Sequence, residues 1–116
     1  MKLVGVLAVP FAEPRRFAFN LDSYRDFYPV IDCEHFDVVV RKFGKHYYDI
    51  YCDDVGLLLQ KPPAIFTFDN DVAVELICGN CFVCKHDDNG DTISLTEDEV
   101  NEVLDNVRQG VLCCEL

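Results

Sequence analysis

Basic residues are scarce in this sequence. Its 116 residues include 10 Lys and Arg against 21 Asp and Glu, which gives a formal net charge of −11. Nucleic-acid binding is driven largely by basic side chains that neutralise phosphates, so this deficit argues against DNA or RNA as a direct ligand. The sequence also lacks any run that approaches the ~20 apolar residues needed to cross a bilayer. We therefore expect neither direct nucleic-acid binding nor a membrane span.

The composition favours one folded domain that spans residues 1–116. Half of the residues are apolar and 12% are aromatic, so burial can offset the entropy that is lost on folding. A chain of this length fits a single core. Seven cysteines cannot all pair within one chain, which makes a reducing cytoplasm the simpler setting. The apolar amino end is a poor signal peptide, because Gly5 interrupts a short apolar run.

The apolar pattern predicts a mostly antiparallel sheet of five or six strands. Leu3–Val9 is a continuous apolar run, which is typical of a central strand. Phe36–Arg41 reads as a strand, and Tyr47–Cys52 reads as its return after a turn at Gly44. These residues predict a first hairpin.

A second hairpin is predicted around Asn89-Gly90, because both central residues of such a turn must accept positive φ angles. Its strands are Ile77–His86 and Thr92–Leu95. Between the two hairpins, the apolar run Leu57–Leu59 follows a further turn. Residues 66–71 alternate between polar and aromatic and receive no assignment.

Two helices complete an α+β fold. A short helix is predicted near residues 22–29, with Asn20 or Asp22 as its cap and Pro29 as its end. A longer helix is predicted in the carboxyl-terminal region, at residues 96–109.

The longer helix begins with a capping box. Thr96 and Glu99 have the spacing at which each side chain bonds the backbone N–H of the other. Arg108 suits the negative end of the helix dipole, and Gly110 is placed to stop the helix.

Three cysteines, Cys78, Cys81 and Cys84, recur at three-residue intervals. A structural zinc ion needs four converging ligands, so a zinc-supported structural or regulatory module is one alternative. In an extended strand, however, alternation puts Cys78 and Cys84 on one face and Cys81 on the other. Free cysteine packs as a small apolar residue. We therefore predict core packing, with no metal and no cofactor.

A thiol enzyme is a further alternative, with His35 or His46 as a base for a cysteine nucleophile. Cys52 precedes Asp53 and Asp54, and negative charge raises the pKa of a thiol and suppresses the thiolate. We therefore predict that the protein is not an enzyme.

Acidic residues are concentrated near the carboxyl end. Residues 87–105 contain eight Asp and Glu and no Lys or Arg. Asp87, Asn89 and Asp91 match the first half of a calcium loop, but the required glycine is replaced by Thr92, so a hairpin tip is the better interpretation. Solubility and helix-dipole effects are one explanation of the acids, and docking on a basic partner is the other. The residues predicted to contact a partner are Asp87, Asp88, Asp91, Glu97, Asp98, Glu99 and Glu102.

Several motifs resemble those of a known family. They are YCDDVGL at residues 51–57, Cys78-Gly79 at the start of a strand, and DNGDxxSLT at residues 88–96 before a helix. The chain resembles a family of small uncharacterised proteins from phages and mobile elements of bacteria, known as a domain of unknown function. The resemblance implies a bacterial cytoplasmic setting and a role in the contest between mobile element and host. It supplies no catalytic residues.

These observations predict a non-enzymatic, acidic protein-binding module. The partner class implied by the resemblance is a basic host defence nuclease of the CRISPR or restriction type, which the acidic surface would inhibit. The alternative is the zinc-supported module that uses Cys78, Cys81 and Cys84.

Overall fold

The structure, a computed structural model, describes residues 1–69 and 72–109. The strands in these residues are β1 Lys2–Ala8, β2 Arg15–Asn20, β3 Phe36–Phe43, β4 His46–Asp53, β5 Pro63–Asp69, β6 Val72–Cys78, β7 Cys81–His86, β8 Thr92–Ile93 and β9 Arg108–Gln109. The helices are a 3-10 turn at Tyr24–Asp26, α1 at Phe27–Ile31 and α2 at Glu97–Asn106.

Six strands form a large antiparallel sheet. Their order is β2-β1-β7-β4-β3, and β8 pairs with the end of β7. Three further strands form a small antiparallel sheet in the order β6-β5-β9. The predicted α+β class and the antiparallel sheet of five or six strands are confirmed, whereas the sequence did not predict the small sheet.

Both predicted hairpins are present. β3 and β4 pair around Gly44, whose φ of +70° favours glycine. A Cβ at Gly44 would also lie 2.8 Å from Cγ of Glu102 in α2. The second hairpin joins β7 and β8 through residues 87–91.

The prediction of one continuous strand over residues 77–86 is wrong. Gly79 has a φ of +85°, and its N–H donates to the carbonyl of Pro62 at 2.8 Å. This bend ends β6 at Cys78 in the small sheet and starts β7 at Cys81 in the large sheet. Glycine adopts such a φ at little cost, which is why the chain changes sheets here.

The central strands of the large sheet are buried on both faces. The small sheet and α2 cover one face, where the core includes Val6, Ile50, Ile65, Val83, Val100 and Val103. The other face is covered by α1, where the core includes Leu3, Leu7, Phe27, Ile31, Phe82 and Cys84. The Phe27 ring stacks on the ring of Tyr51 at a centroid distance of 4.1 Å. Burial on both faces explains why β1 and β7 are almost wholly apolar.

The short helical segment near residues 22–29 is confirmed, but its cap is Ser23 rather than Asn20 or Asp22. The Ser23 hydroxyl accepts from the backbone N–H of Arg25 at 3.3 Å, and the carboxylate of Asp26 accepts from the Ser23 N–H at 3.1 Å. Serine is a strong N-cap because its short side chain satisfies an otherwise unpaired N–H.

Pro29 does not end this segment, contrary to the prediction. It lies in the first turn of α1, where a missing N–H costs no helical hydrogen bond. The helix ends instead at Asp32, whose φ of 57° is left-handed.

The capping box of α2 is confirmed. The Thr96 hydroxyl accepts from the Glu99 N–H at 3.2 Å, and the Glu99 carboxylate accepts from the Thr96 N–H at 2.8 Å. The helix is shorter than predicted, because it ends at Asn106 and Arg108 lies in β9. Gly110 lies outside the described residues.

Candidate functional site

The first turn of α2 is tied to the strand from which the hairpin tip projects. Lys85, near the end of β7, donates through Nζ to both carboxylate oxygens of Glu99, at 2.7 and 2.9 Å. This ion pair holds the start of α2 beside the strand from which the tip projects. We call residues 87–91 and 97–99 together the acidic end.

The hairpin tip is ordered by its own side chain. Oδ1 of Asp87 accepts from the backbone N–H groups of Asn89 and Asp91, both at 2.9 Å. Gly90 adopts a φ of +85° between them. The carboxylate of Asp87 is therefore engaged in the turn, and the turn holds its neighbours in fixed positions.

The carboxylates of the acidic end differ in how they are compensated. Glu99 is paired with Lys85, as described, and Glu97 accepts from Nε of Arg16 at 3.0 Å. Three further carboxylates are exposed, and the structure gives them no ion pair within residues 1–69 and 72–109: Asp88, Asp91 and Asp98. These three are the groups that remain available to a partner.

Glu102, also predicted as a contact residue, anchors α2 to the first hairpin. Its Oε1 accepts from the Tyr48 hydroxyl and contacts Nδ1 of His46, both at 2.6 Å. The hydrogen bond from Tyr48 and the neighbouring His46 lower the pKa of the carboxyl group. Burial, followed by the bond to Glu102, raises the pKa of Tyr48. This carboxylate has a structural role in packing the helix.

The two cysteines of β7, Cys81 and Cys84, face different cores. Cys81 belongs to the core under the small sheet, and Cys84 belongs to the core under α1, as the alternation predicted. The prediction that Cys78 shares a face with Cys84 is wrong, because Cys78 ends β6 in the other sheet. No group of three or more His, Cys, Asp or Glu is placed to hold a metal ion in the part of the chain that the structure describes. The zinc alternative stays a prediction.

The thiol environments favour packing over reactivity. Burial raises the pKa of Cys52 to about 12, with a smaller contribution from Asp37. Burial also raises the pKa of Cys81 and of Cys84. Because the thiolate is the nucleophile, these buried thiols are poorly suited to covalent catalysis at neutral pH.

A histidine–aspartate pair, which the sequence did not predict, lies beside the second hairpin. Nδ1 of His86 in β7 lies 2.7 Å from Oδ2 of Asp49 in β4, and the Asp49 side chain is only 6% exposed. The hydrogen bond with Asp49 raises the pKa of His86 above its ordinary value of 6.5. The pairing of β4 with β7 brings these two residues together. Because they are far apart in the sequence, no local motif predicts the contact.

This pair predicts a pH-dependent stability. Because the pKa of His86 is raised in the folded protein, its stabilising effect is fully present below about pH 6.5 and is lost as the pH rises through the folded value. The difference in melting temperature between the native protein and His86→Gln should therefore shrink with rising pH. Thermal unfolding followed over a pH series measures this. Asp49→Asn removes the charge that raises the pKa of His86, so the difference in melting temperature between the native protein and this variant should also shrink with rising pH. A difference that grows with pH would contradict the assignment.

A cleft of about 640 Å³ lies at the opposite end of the large sheet. Its lining includes Tyr28, Cys33, His35, Val55, Leu59 and Lys61. Nζ of Lys61 contacts Oδ2 of the buried Asp53 and the carbonyl oxygen of Asp32, both at 2.6 Å. The bond with Asp53 raises the pKa of Lys61. The ammonium group is thus charged and engaged, which does not suit a lysine nucleophile.

The comparisons with known proteins identify a family. The family model described as "Domain of unknown function (DUF3846)" matches residues 1–108, so the chain belongs to this family. Searches of curated proteins and of solved structures found no match. In the described residues, the structure contains no helix with the length and apolar character needed to traverse a bilayer.

Proposed function

We propose that this protein is a non-enzymatic binding module that docks a basic protein partner through its acidic end. The observation that carries the proposal is the set of three exposed carboxylates that have no cation partner among the described residues, Asp88, Asp91 and Asp98. They stand on a side-chain-capped turn and on the first turn of a capped helix. A partner therefore meets negative charge that is already held in place, which reduces the ordering cost of binding.

The overall charge supports the same proposal. A net charge of −11 attracts a basic surface over distances beyond direct contact and speeds association with it. Acids in the first turn of α2 also stabilise the helix through its dipole, which explains Glu97, Asp98 and Glu99 without a partner. Asp88 and Asp91, at the hairpin tip, lie outside α2 and have no such explanation.

We further propose that the partner is a nuclease with a basic nucleic-acid channel, in a bacterial cytoplasm. A rigid array of carboxylates can occupy a groove that is built to hold phosphates, because both ligands present negative charge to the same Lys and Arg side chains. A host defence nuclease of the CRISPR or restriction type is the class that we would test first.

Charge reversal at the acidic end tests this proposal. The variant Asp88→Lys/Asp91→Lys/Asp98→Lys should bind a basic nuclease at least about tenfold more weakly than the native protein, because three contacts become repulsive. Binding is measured by calorimetry against purified nucleases with basic channels, and inhibition by cleavage of a labelled substrate.

A matched control separates local contact from overall charge. The variant Glu13→Lys/Asp37→Lys/Asp105→Lys changes the net charge equally, with exposed residues outside the acidic end. We expect it to keep most of the affinity. If the two variants lost affinity equally, binding would depend only on the overall charge of the protein. If the first variant kept the native affinity, the acidic end would not be the contact surface.

A further inference from the structure

The end of the domain opposite the acidic end exposes large apolar side chains. Residues 54–60, which we call the leucine loop, contain three consecutive leucines. Their exposed fractions are 70% for Leu57, 80% for Leu58 and 60% for Leu59. Phe11, which follows the end of β1, is 75% exposed. A cluster of this kind on a folded protein is typical of an interaction site.

The leucine loop is a defined structure. The N–H of Leu59 donates to the carbonyl oxygen of Val55 at 2.8 Å, and the N–H of Lys61 donates to the carbonyl oxygen of Gly56 at 3.0 Å. Gln60 is left-handed, with a φ of 58°, as in the motif that commonly ends helices. The leucines are therefore presented from a fixed turn rather than from an open chain.

The start of the loop is fastened to the small sheet. Gly56 is buried, and a Cβ at this position would lie 2.3 Å from the carbonyl oxygen of Cys78. The Asp54 N–H also donates to the carbonyl of His35 at 3.3 Å. Val55 and Leu59 of the loop line the cleft, so the leucine loop and the cleft adjoin.

The charges around this surface are mainly negative. Asp32 and Glu34 line the cleft and are exposed, and Asp54 is exposed beside it. The one lysine that lines the cleft, Lys61, is already bonded to Asp53. A partner that covers the leucines therefore meets carboxylates at the edge.

We propose that the leucine loop and the adjoining cleft bind a protein segment that carries apolar side chains flanked by Lys or Arg. Apolar side chains of the segment would cover the leucines and enter the cleft, and its cations would meet the carboxylates at the edge. A second copy of this chain fits less well, because it brings the same carboxylates and a net charge of −11. Anionic lipid surfaces are disfavoured for the same reason.

This surface is distinct from the acidic end. β7 starts at Cys81, which pairs with Ala8 and Cys52 beside the leucine loop, and it ends at His86 before the hairpin tip. Six residues of strand separate the two ends by roughly 17 Å. The two surfaces can therefore be altered separately.

A titration of the full-length, ¹⁵N-labelled protein with a short amphipathic peptide of leucine and lysine tests the proposal. Amide signals of residues 54–61 and 32–35 should shift. The variant Leu57→Ser/Leu58→Ser/Leu59→Ser should bind the peptide about tenfold more weakly. The fold should persist because these side chains are exposed, and the single variant Leu58→Ser should weaken binding in the same direction.

Two control peptides and one control variant make the result specific. A peptide with serine in place of leucine, and one with glutamate in place of lysine, should each bind at least about tenfold more weakly. The variant Asp88→Asn/Asp98→Asn should keep its affinity within about twofold, so this proposal and the function of the acidic end can fail independently.

Several outcomes would overturn the proposal. The first is that the native protein does not bind the leucine–lysine peptide, and the second is that it binds the glutamate peptide with equal affinity. Amide shifts confined to the acidic end, together with native affinity in the leucine variant, would be the third such outcome. Concentration-dependent dimers that disappear in the leucine variant would identify a second copy as the occupant instead.

Discussion

Replacing Gly5 by alanine is expected to destabilise the protein by about 4 kcal/mol, a large part of the stability of a domain of this size. Gly5 lies in β1, which pairs with β2 on one side and with β7 on the other. A Cβ there would lie 2.2 Å from the carbonyl oxygen of Val83 and 2.6 Å from Cζ of Phe82. The backbone of β7 cannot give way without breaking its pairing with β1 and β4. Urea unfolding followed by circular dichroism measures the cost.

Gly90→Ala is the matched control for this substitution. Gly90 lies in a turn and has a positive φ of +85°, but among the described residues, its chain neighbours aside, no heavy atom lies within 4 Å of a Cβ placed there. Its cost should be limited to left-handed strain, about 1–2 kcal/mol. If Gly5→Ala cost no more than Gly90→Ala, the close approach of β1 to β7 would be wrong.

Replacing Lys61 by methionine is expected to cost about 3 kcal/mol, because it leaves a buried carboxylate without its cation. The Asp53 side chain is 2% exposed, and that of Lys61 is 25% exposed. In the described part of the chain, Oδ2 of Asp53 has no other partner than this ammonium group. The midpoint of urea unfolding gives the loss directly.

A second variant shows whether the uncompensated charge causes the loss. Lys61→Met/Asp53→Asn removes both charges and keeps an oxygen to accept the Val55 N–H, which Oδ1 of Asp53 now accepts at 3.0 Å. The double variant should be more stable than Lys61→Met alone. Lys45→Met, at an exposed position, should change stability by less than about 0.5 kcal/mol. If the double variant were no more stable than Lys61→Met, the ion pair would not explain the effect.

The local features of the fold could be predicted from the sequence. A turn glycine marked each of the two predicted hairpins, and the Thr96–Glu99 capping box marked the start of α2. Such features depend on residues close together in the chain, whose conformational preferences act before any tertiary contact forms. The alternation of Cys81 and Cys84 between two cores follows from strand geometry alone.

The small sheet could not be predicted, because its contacts join distant segments. β5 pairs with β9, which lies more than 40 residues further along the chain. The bend at Gly79 was hidden within an apolar run that reads as one strand. Pattern alone does not show at which residue a chain leaves one sheet for another.

The same limit applies to the candidate surfaces. The acidic residues were visible in the sequence, but the sequence could not show that Arg16 and Lys85 neutralise two of them, or that Glu102 bonds Tyr48. The leucines were visible as an apolar run, and apolar runs are commonly buried. Their exposure follows from the turn that carries them, which a pattern of residue types does not specify.

The compensated carboxylates change the interpretation of the acidic composition. Glu97 and Glu99 pair with cations of the same chain and stabilise the start of α2. Asp87 bonds backbone N–H groups, and Glu102 bonds neighbouring side chains. A substitution at any of these would mix a binding effect with a stability effect. Asp88 and Asp91, at the hairpin tip, are therefore the residues at which the two effects can best be separated, because Asp98 also stabilises the start of α2.

Hydrogen–deuterium exchange in the presence of a basic nuclease that the protein binds is the most direct test of the account. Peptides that cover the acidic end, residues 87–99, should exchange more slowly in the complex than in the free protein. The same region of Asp88→Lys/Asp91→Lys/Asp98→Lys should show no such slowing. Slowing at other surfaces, with unchanged exchange over residues 87–99, would contradict the proposed mode of binding.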